Sequence, residues 1–313
     1  METVRPPKTN LAAAITLAAS KQTYYTMRWL ADKDRVQQGL QAYAYFRWVD
    51  DRLDEDSSSQ GERLEFLARQ QTILANFIAG KATVGLVPEE AILAGMLATE
   101  SASENGLRIY VRHMMQVMAF DTKRRGKLIS QTELDSYTHH LAVGVTELLH
   151  YLIGSSFYSP KDGTRYAAAS AAHIVHMLRD SYEDTEAGYF NIPRDVLEAA
   201  AIGPGDFDHP AYRSWVQERI QLASRLFGEA RTYLSRVESL RCRLAGFTYM
   251  SRFESVLALI KKDNYVLRPQ YPRRRSLGGV ATSLGSLFVS LMRNSGRQAP
   301  PVSVPAAQPR KNL

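Results

Sequence analysis

Six long stretches without proline repeat apolar residues every three or four positions: 63–80, 89–119, 131–155, 165–182, 211–241 and 245–263. Leu64, Leu67, Ile73, Leu74 and Phe77 show the spacing. A helix that buries one face needs this pattern. Runs that alternate Val, Ile and Thr around hairpin turns are absent, so a sheet has nothing to be built from. Breakers fall between the stretches: SSSQG at 57–61, GLVP at 85–88, YSPKDG at 158–163, IGPGD at 202–206 and RPQYP at 268–272. No internal repeat stands out. The pattern predicts one all-α domain over 10–292 and a disordered tail over 293–313, rich in Pro, Ala and Gln. A chain of 313 residues buries enough core to fold without a staple. The single cysteine, Cys242, excludes an internal disulfide and a cysteine-built zinc site, and favours a reducing compartment.

The net charge of +7 is uneven. Residues 261–313 hold ten Lys and Arg against one acid, Asp263, and the rest of the chain is slightly acidic. Such a basic end suits an anionic partner: lipid, nucleic acid or diphosphate. Nucleic acid is the weakest of these, because no basic-aromatic stripe or known module appears. The N-terminal apolar stretch runs into SKQTYYTMRWL and does not read as a signal peptide. The uncharged segment Ser276–Met292 sits at the lower edge of the ~17–25 residues that span a bilayer, and its Ser and Gly content argues against spanning. Beside it, Arg273, Arg274 and Arg275 suit anionic lipid. The expectation is a cytoplasmic protein docked peripherally on a membrane through its C-terminal region.

Two acidic stretches carry the chemistry. The first runs from Tyr43 through Arg47, Asp50 and Asp51 to Asp54. At about 100° per residue, Arg47, Asp50 and Asp54 fall within about 40° of Tyr43 on one helix stripe. The second runs from His173 through His176, Arg179 and Asp180 to Asp184, with His176, Asp180 and Asp184 within about 60° of His173. An Asp-x-x-x-Asp pair alone is most often a solvated face. Here each pair continues a helix apolar enough to be buried, Leu40–Val49 and Ala167–Leu178, and buried carboxylates need cations. Carboxylate oxygens are hard ligands, matched to Mg²⁺ that keeps water and bridges to phosphate. Two such faces in one bundle can hold a Mg²⁺–diphosphate cluster between them.

These stretches resemble the paired aspartate motifs of the squalene/phytoene synthase family. Its first motif, roughly Y-x-x-x-R-x-x-D-D-x-x-D, is matched by Tyr43, Arg47, Asp50, Asp51 and Asp54. Of its second, Q-x-x-N-x-x-R-D-x-x-x-D, Arg179, Asp180 and Asp184 match. Ser20-Lys21 followed by Tyr24-Tyr25 resembles the family's N-terminal substrate segment. Met118–Asp121 resembles its M-x-x-D element, and Tyr137 with Ala142 and Val145 its Y-x-x-x-V-A-G-x-V-G element. Gly188 and Pro193 resemble G-R-x-Y-x-P, and Arg252-Phe253 and Asn264-Tyr265 sit where its last helices lie. The ordered set spans about 18–275. Five departures cluster near the reacting centre: His173 and His176 replace the motif Gln and Asn, Thr146 replaces a glycine, and Tyr189 and Asn191 replace an Arg and a Tyr.

The resemblance implies an isoprenoid-synthase-type helical bundle with a central apolar cavity. It implies a prenyltransferase that condenses two prenyl diphosphates, farnesyl or geranylgeranyl, head to head with release of diphosphate. Asp50, Asp54, Asp180 and Asp184 would hold Mg²⁺. Tyr43, Arg47, Tyr137 and Arg179 would be catalytic. Ser20, Lys21, Asp51, His173 and His176 would contact substrate. Leu141–Leu152 and Val111–Phe120 are candidates to line the prenyl tunnel. No NADPH-binding motif is visible, which leaves reductive chemistry open. The alternatives are cyclisation of a single prenyl diphosphate and a non-catalytic, membrane-associated binding protein of the same fold.

Overall fold

The computed structural model describes residues 10–55, 58–98 and 104–271. These form eleven α-helices and no strand: α1 (Asn10–Ala19), α2 (Lys21–Leu30), α3 (Val36–Asp54), α4 (Gln60–Ile78), α5 (Pro88–Ala98), α6 (Gly106–Arg124), α7 (Gln131–Leu152), α8 (Ala167–Glu186), α9 (Arg194–Ala200), α10 (Pro210–Arg236) and α11 (Leu240–Lys262). The all-α expectation holds. The segment 276–292, the basic run 273–275 and the tail lie outside the described residues. No helix among the described residues is long and apolar enough to cross a membrane.

Caps define the helix starts. Ser59 with Glu62 and Ser130 with Glu133 form reciprocal capping boxes on α4 and α7, each satisfying two otherwise orphaned N–H groups. The expected helix over 89–119 is instead two. Asn105 accepts from the Arg108 N–H at 3.0 Å and starts α6 afresh. A run of cap-forming residues just before it carries no apolar residue worth burying. Similarly, α10 stops at Arg236 and Ser239 caps α11, where one helix was expected to reach 241.

One buried apolar cluster draws on all eleven helices. Along α3, Leu40, Ala44, Val49 and Leu53 face it while Arg47, Asp51 and Asp54 are exposed. The helices α6 and α7 approach closely because two glycines permit it. A Cβ on Gly144 would sit 3.3 Å from the His113 Cβ, and one on Gly106 only 2.3 Å from the Glu147 carbonyl oxygen. That second contact is with backbone, which cannot swing aside. Gly106→Ala is therefore expected to cost about 1–3 kcal/mol, read as a lower denaturant midpoint at unchanged slope.

The central cavity is narrow. A hollow of about 40 Å³ lies between α7, α8, α10 and α11, lined by Thr146, Leu149, His150, Ala169, Cys242 and Tyr249 among others. The α7 candidates for the tunnel thus reach it, and Val111–Phe120 does not. Thr146, standing where the family has glycine, lines the hollow. A roomier hollow of about 160 Å³, between α7, α8 and α10, contains none of the acidic-motif residues. Both fall below the roughly 300–1,000 Å³ of a ligand pocket.

Candidate active site

The acidic stretches close α3 and α8. On α3, the exposed Arg47 donates to Asp50 at 3.4 Å and to Asp51. On α8, Arg179 grips Asp180 through two hydrogen bonds of 2.6 and 2.5 Å, and His176 Nε2 meets the same carboxylate at 2.9 Å.

Tyr189 joins the two ends. Its N–H donates to the Asp184 carbonyl oxygen at 2.7 Å and its hydroxyl to Asp54 Oδ1 at 2.9 Å. Held to the end of α8 by its backbone, Tyr189 therefore reaches across to the first motif with its side chain. Asn191, buried beside it, donates to Asp184 at 2.6 Å and accepts from Arg124 at 3.0 Å. Arg124 also donates to Asp121 at 2.7 Å, and Asp121 accepts from the Tyr137 hydroxyl at 2.8 Å. The Arg124 guanidinium stands 5.0 Å over the Tyr137 ring and 5.1 Å over the Tyr189 ring, so cation–π attraction reinforces the arrangement.

Most of the predicted residues meet at or beside this network. Tyr43 is half-buried on the α3 stripe. His173 is buried with its ring 5.0 Å from that of Tyr137, and neither ring nitrogen has a protein partner. Ser20 is spent locally: its hydroxyl caps α2, accepting from the Thr23 N–H at 3.2 Å. Lys21 opens that helix and is exposed. The first turn of α2 is tied to α11, where Arg252 donates to Gln22 at 3.1 Å, and the next residue, Phe253, stands 6.2 Å from the His176 ring.

Sequence reasoning left Arg124, Tyr189 and Asn191 out of the site. Arg124 gave no signal, lying among ordinary basic residues at the end of α6. Tyr189 and Asn191 gave one: they were departures from a motif, and a departure inside a motif marks a contact that has been rebuilt.

The electrostatics separate the carboxylates. Burial, with Asp54 beside it, pushes Asp50 up to about 7; solvent still reaches 40% of its side chain and moderates the effect. Burial, and then the charge of Asp180, pushes Asp184 up to about 6 against the Asn191 hydrogen bond. Burial also raises Asp121 despite Arg124. Asp180 goes the other way. Burial raises it, but the hydrogen bonds from Arg179 and His176 outweigh that and hold it well below the usual carboxylate range. Burial, with His176 and Arg124 nearby, pushes His173 down to about 3, so its imidazole is neutral. The site therefore holds several carboxylates crowded together, two of them short of positive charge.

A profile described as squalene/phytoene synthase matches residues 17–277. The chain belongs to the squalene/phytoene synthase family. A presqualene diphosphate synthase of Zymomonas mobilis is 29% identical over 198 residues, which is 61% of this chain and 62% of the relative. Two solved structures share the fold. A squalene synthase of Alicyclobacillus acidocaldarius superposes with a TM-score of 0.66 at 20% identity, over 83% of this chain and 95% of that one. A dehydrosqualene synthase bound to a ligand superposes with a TM-score of 0.68 at 17% identity, over 91% and 96%.

Within the squalene/phytoene synthase family pattern, the departures now have a place. Tyr189 and Asn191 bind the carboxylates Asp54 and Asp184 directly. His176 is a partner of Asp180, and His173 packs on Tyr137.

Proposed function

We propose that this protein condenses two prenyl diphosphates head to head and releases diphosphate. The observation that carries the reading is the meeting of the two aspartate motifs across Tyr189.

The donor set fits Mg²⁺. Among the described residues no three His, Cys, Asp or Glu groups stand close enough to cage a metal alone. Mg²⁺ does not need a cage: it takes one or two carboxylates and completes its shell with water and substrate phosphate. Asp50 and Asp54 on one side, and Asp180 and Asp184 on the other, would hold it. Bound there, it would neutralise charge on the departing diphosphate. Asp180 must first loosen from Arg179 and His176.

The chain's own residues do the rest. Arg179, freed from Asp180, and Arg47 supply fixed donors to phosphate oxygens. The Tyr137 hydroxyl is committed to Asp121, so toward a carbocation it offers its ring face. His173, neutral and next to that ring, brings no charge to repel the cation. Ser20 and Lys21 open the helix that α11 ties toward α8, and Lys21 is exposed to meet a second diphosphate. The prenyl tail runs along α7 toward the narrow hollow, whose lining includes Val145, Leu149 and Ile153.

Mass spectrometry of products from farnesyl or geranylgeranyl diphosphate, with and without NADPH, tests the reading. Two substrate units per product are expected; one unit would replace condensation with cyclisation.

Metal binding has a signature independent of turnover. Asp50 near 7 and Asp184 near 6 are raised above the ordinary value. Raised carboxyls favour the folded state below pH ~4 and lose that contribution as pH climbs through the folded values. Cation binding needs them deprotonated. Mg²⁺ should therefore raise the thermal midpoint more at pH 8 than at pH 5.5. An equal rise at both, or none, would remove these two residues from the metal site.

A further inference from the structure

Away from the acidic motifs, the other end of the bundle presents an apolar surface. Three segments meet there. Arg241 of α11 donates to the carbonyl oxygens of Leu30 and Ala31 at the end of α2 at 3.1 and 3.4 Å. Asp32 accepts from the N–H groups of Gly154 and Ser155 after α7, at 3.1 and 3.3 Å. The Glu238 N–H donates to the Tyr158 carbonyl oxygen at 3.0 Å. These bonds bring together Trp29, Phe157, Tyr158 and Leu240, which are 74%, 52%, 64% and 48% exposed. Tyr25, also exposed, stacks on Trp29 at 5.0 Å. Scattered exposed apolar residues are ordinary, but aromatic residues gathered at one end are not.

We propose that this end docks on an anionic lipid bilayer. Trp and Tyr have amphipathic rings that settle at the headgroup level, and Phe and Leu reach below it. The charge around them matches. Arg28, Lys33 and Lys161 are exposed and form no ion pair among the described residues. The acids are engaged: Asp32 with Arg241 at 2.5 Å, Asp162 with Arg236 at 2.7 Å, Asp34 with Arg35 at 3.8 Å, and Glu238 with the Tyr158 N–H at 2.9 Å. Uncommitted cations beside interfacial aromatics attract anionic headgroups. The narrow hollow leads the same way. Its lining includes Ile153 and Cys242, immediate neighbours in sequence of the segments that build the surface. The acidic motifs lie at the C-terminal ends of α3 and α8. From Arg241 to Phe253, which contacts His176, α11 alone rises roughly 18 Å. Docking in this orientation points the diphosphate chemistry toward water and the apolar interior toward lipid. That last point rests on the proposed condensation; the docking itself does not.

Vesicle flotation of the full chain, without substrate, tests the surface. Vesicles of phosphatidylcholine with phosphatidylglycerol should float the protein, and pure phosphatidylcholine should float less. Of the three tryptophans, Trp215 is buried and Trp48 partly so. A blue shift on adding vesicles therefore reports mainly Trp29. The variant W29S/F157S/Y158S, checked for helicity by circular dichroism, should lose about tenfold or more in partitioning. A full-length variant with Arg273, Arg274 and Arg275 changed to Ser should keep the blue shift. Unchanged flotation of the aromatic variant overturns the proposal. So does a protein-concentration-dependent dimer, in the absence of vesicles, that the aromatic variant loses, because a second copy would then be the occupant.

Discussion

Replacing Asp50 by asparagine should lower turnover about 10²–10³-fold, the usual cost of removing one charged element of a transition-state clamp. The fold should survive and even gain. Asn has the same shape, and the carboxylate it replaces is one the fold pushes up to about 7 through burial and through Asp54. Removing a charge that neighbours disfavour stabilises the protein at pH 8, where that charge is fully present. The expected result is thus a thermal midpoint equal to or above that of the parent, with condensation nearly abolished. A similar loss is expected for Asp184→Asn, also raised by burial and a like charge. Asp180→Asn should behave differently. Its carboxylate is well paired with Arg179 and His176, so its loss should reduce stability as well as turnover. Steady-state kinetics beside thermal melts at pH 8 separate the cases. Full turnover in Asp50→Asn would remove that carboxylate from the mechanism.

The largest effect on stability is expected far from the acidic motifs. Arg165 is 5% exposed and donates to Glu147 at 2.5 and 2.9 Å, to the Ser159 hydroxyl and Tyr233 hydroxyl at 2.9 Å, and to the Pro160 carbonyl oxygen at 3.1 Å. It pins the loop between α7 and α8 to α7 and α10. Arg165→Ala should cost about 3–5 kcal/mol, because it strands the partly buried Glu147 charge and several acceptors. Glu147→Ala strands the guanidinium and should cost a similar amount. The double variant R165M/E147L leaves no stranded charge and should cost less than either single change. Urea denaturation of the three variants measures this. Additive losses would mean that the two side chains act separately.

Much of the fold was legible because helix formation is local. The three- and four-residue apolar spacing identified α4, α7, α8, α10 and α11, and the rotation per residue correctly put Arg47 beside Asp50 and His176 beside Asp180. What failed was mostly not local. The break between α5 and α6 turned on a cap at Asn105, a signal weaker than the apolar period on either side. The width of the hollow depends on how four helices interlock, and no single stretch encodes that. Arg124 belongs to the site only because the turns after α6 and α8 touch, with the Gly126 N–H donating to the Gly188 carbonyl oxygen at 2.8 Å. A contact between residues 62 positions apart leaves no periodic trace.

His173 has a cost that reaches beyond the chemistry around it. An imidazole enclosed in the bundle with no protein partner for either nitrogen forfeits on the order of 1–3 kcal/mol of desolvation that an apolar side chain would not. Folded proteins typically have a margin of only about 5–15 kcal/mol to lose. Fewer random changes elsewhere in the chain can then accumulate before folding fails, so this one position narrows the protein's room to evolve.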